Sequence, residues 1–204
     1  MAHYGFYVNT DICIGCKACM TSCFDRNDLS VPQKFRKVWE FSGGEWTEDG
    51  NGAFEHSAFA YYVSLTCNHC DVPACLAICE PGAISKDPET GLVTIDEELC
   101  IGCMKCQEAC PYSHPILFDD GLAHKCVLCT DESKDGTPKP ACLTACPVRA
   151  LQFGDISELR ASYGDACEIG TLKNTTSPNV VIGLHRDADK GGELANPLEV
   201  GHTA

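Results

Sequence analysis

Sixteen of the seventeen cysteines fall into four groups of four, and any fold for this chain must bring each group to a site that uses it. Cys13, Cys16, Cys19 and Cys23 are spaced C-x2-C-x2-C-x3-C, and Cys100, Cys103, Cys106 and Cys110 repeat that spacing with Pro111 behind it. Cys67, Cys70, Cys75 and Cys79 read C-x2-C-x4-C-x3-C, while Cys126, Cys129, Cys142 and Cys146 read C-x2-C-x12-C-x3-C before Pro147. Thiols this close in sequence pair poorly as disulfides, and a chain of 204 residues can bury an ordinary core without them. Zinc sites usually set two C-x2-C pairs further apart. Three cysteines within seven residues and a fourth close behind instead match a cubane iron–sulfur loop, whose fourth cysteine ligates the neighbouring cluster. Gly15 and Gly102, each just before a second cysteine, suit a loop that wraps closely.

Such loops come in pairs, so four quartets predict two units. Residues 80–99, EPGAISKDPETGLVTIDEEL, separate the second quartet from the third. They resemble the link of bacterial two-cluster ferredoxins, with strands at Ala83–Ser85 and Leu92–Ile95 about a turn through Pro88 and Gly91. By elimination the first quartet pairs with the fourth. The first and third share C-I-G-C (Cys13–Cys16, Cys100–Cys103), and the second and fourth share P-A-C-L (Pro73–Leu76, Pro140–Leu143). Crossing the fourth cysteines predicts four ligand sets. They are Cys13, Cys16, Cys19, Cys146; Cys23, Cys126, Cys129, Cys142; Cys67, Cys70, Cys75, Cys110; and Cys79, Cys100, Cys103, Cys106.

The expected fold is therefore α+β. Two nested ferredoxin-like two-cluster units make one interlocked body, 1–23 with 124–164 outside and 67–118 inside. Residues 24–66 form a strand-rich insertion, with strands expected around 35–41 and Ala58–Leu65, and 165–204 an extended C-terminal arm. A short helix is expected over 156–164. Trp39, Trp46, Tyr61 and Tyr62 read as core and interface packing, not electron relays. Cys167 lies outside every quartet, the sequon at Asn174 reads as chance, and His69 is positioned to donate to a cluster sulfur without being a ligand. Lys17, Lys105, Lys125 and Arg149 neighbour cluster cysteines, either as solvated charges or as tuners of potential.

Twenty-nine acidic against fifteen basic residues give a formal charge of −14. Each oxidised cluster with its thiolates adds roughly −2, so a nucleic-acid partner is excluded for want of a basic face. No apolar run has membrane-spanning length, and no Rossmann fingerprint, P-loop or catalytic triad stands out. No signal peptide or twin-arginine motif precedes Cys13, so export is expected only alongside a partner, after cluster assembly in a reducing cytosol.

The segments YGFYVNTDICIGCKAC, FAYYVSLTCNHCDVPAC, CIGCMKCQEACPY, PACLTACPVRALQFGDISELRASYG and LANPLEV extend the match beyond the iron ligands. With these, the chain resembles the iron–sulfur electron-transfer subunit of dimethyl-sulfoxide-reductase-type molybdopterin oxidoreductases. That resemblance implies a non-catalytic subunit with four [4Fe-4S] clusters. It would relay electrons between a quinone-linked membrane anchor and a molybdopterin catalytic subunit carrying molybdenum or tungsten. It also implies membrane association through partners, on the extracytoplasmic face by co-export rather than the cytoplasmic face. In nitrate-reductase relatives a tryptophan replaces the second cysteine of the third quartet; here Cys103 keeps that cluster at four irons. Glu80 stands where many relatives have proline, adding negative charge beside a cluster. The alternative is a freestanding polyferredoxin, which would need neither the insertion nor the arm.

Overall fold

The computed structural model describes residues 3–130 and 137–201. The ends of the expected outer unit and arm at 1–2 and 202–204, and 131–136 between Cys129 and Cys142, lie outside the described residues. In chain order the elements are β1 (Tyr4–Asn9), α1 (Ala18–Arg26), β2 (Lys37–Gly43), β3 (Trp46–Glu48), β4 (Phe54–His56), β5 (Phe59–Leu65) and α2 (Ala74–Ala77). There follow β6 (Ile84–Lys86), β7 (Val93–Ile95), α3 (Lys105–Glu108), β8 (Ile116–Leu117), β9 (Ala123–His124), α4 (Ala141–Thr144), β10 (Leu151–Asp155) and α5 (Ile156–Tyr163). β11 (Val180–Gly183), β12 (Glu193–Leu194) and α6 (Pro197–Val200) complete the chain.

The chain is a mixture of short helices and strands around two three-stranded sheets, ordered β10-β1-β11 and β12-β2-β5. In the first, β1 runs antiparallel to β10 and parallel to β11. In the second, β2 pairs antiparallel with β5 from Lys37–Leu65 to Gly43–Phe59. Their apolar faces meet in one core containing Phe6, Val8, Trp39, Phe41, Tyr61, Val63, Leu65, Val180 and Ile182. Each large apolar side chain removed from water there contributes about 1.5–3 kcal/mol, which is how a chain crowded with loops keeps an ordinary core. The expected pair in the link appears as β6 and β7, joined Ile84–Ile95. The helix expected over 156–164 is α5, capped by the Asp155 carboxylate on the Ser157 amide and ended at Gly164, φ 87°.

The segment read as an extended arm folds back onto the body. β11 is buried against β1, β12 pairs with β2 at Leu194–Phe41, and Val200 of α6 is fully buried. Among the described residues, no helix is long and apolar enough to cross a membrane.

Candidate iron–sulfur sites

The two C-I-G-C loops take the same backbone path. Gly15 and Lys17 have φ of 64° and 62°, and Gly102 and Met104 have 65° and 58°, so the chain turns left-handed on either side of the second cysteine. Lys17 and Met104 then open α1 and α3, which carry the third cysteines, Cys19 and Cys106. The other two loops reach their helices through Pro73 and Pro140, which precede α2 and α4 and the cysteines Cys75 and Cys142. α1 packs on α4, and α2 on α3. A first-quartet helix thus meets a fourth-quartet helix, and a second meets a third.

Glycine is required in both C-I-G-C loops by space as well as by φ. A Cβ on Gly15 would stand 2.5 Å from the Tyr62 ring, and one on Gly102 would overlap the carbonyl oxygen of Gly121.

The sixteen thiols gather in four groups. Cys13, Cys16, Cys19 and Cys146 line one cavity. Cys67, Cys70, Cys75 and Cys110 line a second, and Cys79, Cys100, Cys103 and Cys106 a third. Cys23 lies within electrostatic reach of Cys126, Cys142 and Cys129, the fourth group. The groups are neighbours in a row: Cys19 feels Cys142, and Cys126 feels Cys67. Cys75 on α2 and Cys79, two residues past its end, then join the Cys67 and Cys100 groups. At the two ends of the row, Cys16 and Cys103 are exposed, beside the exposed side chains of Ile14 and Ile101.

These sites fit cubane clusters. In the Cys13, Cys67 and Cys100 groups the four thiols ring a cavity, the arrangement a cluster of several irons needs. Backbone N–H groups already face sulfur, Leu128 N to Cys126 at 3.3 Å and Ala150 N to Cys146 at 3.2 Å. Burial and neighbouring thiolates push Cys23, Cys70 and Cys75 up to about 12 and Cys126 to about 11. Burial that disfavours the free thiolate suits sites in which bound metal would neutralise its charge.

Several polar groups reach the sulfurs from a distance in sequence. Ser64 Oγ lies 3.1 Å from Cys19 Sγ, and Thr176 Oγ1 donates to Cys70 Sγ at 3.2 Å. His69 is fully buried and lines the cavity of Cys67. Its Nδ1 accepts the Val93 N–H at 2.9 Å, so Nε2 carries the proton. The expected role as a donor is open to it.

The four cations noted in the sequence divide sharply. Lys125 is buried, donating to the carbonyls of Val93 and Cys126, with Nζ 3.0 Å from the latter. Lys17 pairs with Glu199 at 2.8 Å, and Arg149 donates to the carbonyls of Thr144 and Cys146. Lys105 meets Glu80 at 2.5 Å, which offsets the negative charge Glu80 brings to that site. Nothing in FRKVWEF marks Arg36 and Lys37 as buried, yet both are. Trp39 and Tyr61 are core residues, Tyr62 covers Gly15, and Trp46 is exposed on the β3–β4 hairpin. Cys167 is outside all four groups.

Residues 58–156 match the family model for the 4Fe-4S dicluster domain, a ferredoxin-like domain within the chain. The sequence is 43% identical to the B subunit of anaerobic dimethyl sulfoxide reductase from Escherichia coli (strain K12), over 97% of this protein and 98% of that one. It is equally similar to the subunit of the same name in Haemophilus influenzae, across 98% and 100%, and 36% identical to an NrfC homolog of that organism, across 84% and 77%. The chain belongs to the family of iron–sulfur electron-transfer subunits of dimethyl-sulfoxide-reductase-type molybdopterin oxidoreductases.

Proposed function

We propose that this chain is the electron-relay subunit of a membrane-associated reductase. It would hold four [4Fe-4S] clusters and pass single electrons between a quinone-linked anchor and a molybdopterin catalytic subunit. The observation that carries this reading is the row of four thiol groups, each within reach of the next, ending at exposed Cys16 and Cys103. A relay between two partners needs an accessible site at each end, and Ile14 and Ile101 give both ends an apolar contact surface.

In this reading the ligand sets are the four groups described above, each with one cysteine lent by the partner quartet. Residues 1–23 and 124–164 form the outer unit around the inner unit of 67–118, with 24–66 as the insertion and 165–204 as the C-terminal segment. The packing of α1 on α4 and of α2 on α3 supports this nesting. When bound, each cluster supplies a one-electron couple whose potential its surroundings set. The protein's part is to supply the thiolates, exclude water, and aim N–H and O–H donors at sulfur. No bond is made or broken in substrate by this chain.

Membrane attachment would come through the anchor, on the extracytoplasmic face by co-export with the catalytic subunit. The experiment is an anaerobic purification from the native host through a tag on this chain. Stoichiometric molybdenum or tungsten in the membrane fraction, with about sixteen iron per copy of this chain, is the expected result. A soluble monomer that carries iron without either metal would favour the freestanding polyferredoxin.

A further inference from the structure

Arg36 is 1% exposed and stands at the end of the insertion's first segment, one residue before β2. Its Nη1 donates to the Ser64 carbonyl at 3.0 Å and to Ser64 Oγ at 3.1 Å. The guanidinium carbon lies 4.5 Å above the centre of the Phe6 ring. Its Nε and Nη2 find no protein acceptor, and among the described residues no carboxylate pairs with it. A buried cation left with a ring and one serine is costly unless other negative charge faces it. That charge comes from sulfur. Ser64 Oγ, which accepts from Nη1, lies 3.1 Å from Cys19 Sγ, and Arg36 lines one cavity with Cys23. Cys19 belongs to the Cys13 group and Cys23 to the group of Cys126, so the guanidinium sits between two sites.

We propose that Arg36 is the buried cation that sets the reduction potentials of two clusters, those of Cys13, Cys16, Cys19, Cys146 and of Cys23, Cys126, Cys129, Cys142. Reduction adds negative charge to each, and a fixed positive charge in a poorly solvated interior stabilises the reduced form and raises the potential. Nε and Nη2, without a protein acceptor, would be left to donate to cluster sulfide. The charge is delivered by the insertion: Arg36 leads into β2, and Ser64, which orients it, lies on the paired strand β5. The insertion is thus more than a cover over the cluster body. The opposite end of the row is built differently, since the cation lining that cavity, Lys105, is exposed and already paired with Glu80. Arg36 acts through the clusters and is a positioning residue, with no contact to substrate.

This inference rests on the four-cluster reading above. The test is a redox titration of the anaerobically purified complex, followed by electron paramagnetic resonance, for wild type, Arg36→Gln and Arg36→Lys. Arg36→Gln should lower the reduction equilibrium constant of both neighbouring clusters about tenfold, which is about 59 mV for a one-electron couple. The clusters of Cys67 and Cys100 should move far less, and Arg36→Lys should recover most of the loss. If Arg36→Gln instead empties the two neighbouring sites, Arg36→Lys decides: refilled sites at near wild-type potentials support the role, and sites that stay empty overturn it. No differential shift, or equal shifts in the glutamine and lysine variants, would overturn it. So would loss of iron at all four sites that lysine does not restore, which marks a folding residue. A wild-type complex without four titrating clusters would refute the relay reading itself, whereas four clusters with unmoved potentials would refute only the role of Arg36.

Discussion

Thr176 donates its hydroxyl to the sulfur of Cys70 at 3.2 Å across 106 positions of sequence. The contact ties the C-terminal segment to a cluster site. Asn179 strengthens it, donating to the His69 carbonyl at 2.9 Å and to Asp71 at 3.1 Å. The C-terminal segment is therefore a wall of the Cys67 site.

Thr176→Val keeps the shape and removes the donor. The cluster of Cys67, Cys70, Cys75 and Cys110 should become harder to reduce, because a donor to sulfur favours the more negative state. The protein should lose about 1 kcal/mol of stability. A redox titration that leaves this cluster's potential unchanged while stability falls would mean the hydroxyl only packs.

Cys146 follows α4 in the fourth quartet but lies in the cavity of Cys13, Cys16 and Cys19. Cys146→Ser should therefore disturb the cluster of the first quartet, converting or emptying one site and removing one to about four irons. The signal of the Cys126 site should persist. Mössbauer and paramagnetic spectra of the variant decide this, and damage confined to the Cys126 site would break the crossed assignment.

Gly102 combines a left-handed φ of 65° with contact against Gly121. Gly102→Ala should cost more than about 1 kcal/mol in backbone strain alone, with the overlap added. Iron should fall at the site of Cys79, Cys100, Cys103 and Cys106, with the other three retained. By contrast Gly154, beside which a Cβ meets nothing within 4 Å, should accept alanine with full iron content.

The hydrogen bonds from Ser157 hold the Asp155 carboxyl below its ordinary value of 3.8. A depressed carboxyl contributes its stabilisation above the unfolded-state pKa and loses it as pH falls through the lower folded value. Asp155→Ala should thus weaken α5 by about 1 kcal/mol at pH 7. The gap from wild type should stay constant from about pH 8 down to about pH 5, above the range in which the carboxyl titrates and the acid-labile clusters are lost. Hydrogen exchange of the α5 amides in both proteins measures it; a gap that widens in acid would contradict the capping role.

What was legible in the sequence was local. The C-I-G-C and P-A-C-L repeats announced the shared loop geometry because a glycine with positive φ and a proline before a helix act within a few residues. The strands at 84–86 and 93–95 and helix α5 showed through turn residues and a cap for the same reason. Arg36, Ser64 and Thr176 were hidden because their partners lie 28 to 106 positions away, and no periodicity encodes such distances. The polar composition of 185–204 suggested an extended arm, yet Asn196 donates to the Val38 carbonyl at 2.9 Å and docks it on β2. A polar run can be a docked edge when its side chains satisfy main-chain groups of the body.

The central claim is that these sixteen cysteines hold four cubane clusters in one relay. Iron, acid-labile sulfide and zinc should be measured in the anaerobically isolated complex, with Mössbauer spectra of the same sample. The account predicts about sixteen iron and sixteen sulfide per copy of this chain, all in [4Fe-4S] form. About eight iron with two cysteine groups empty, or zinc in place of iron, would contradict it.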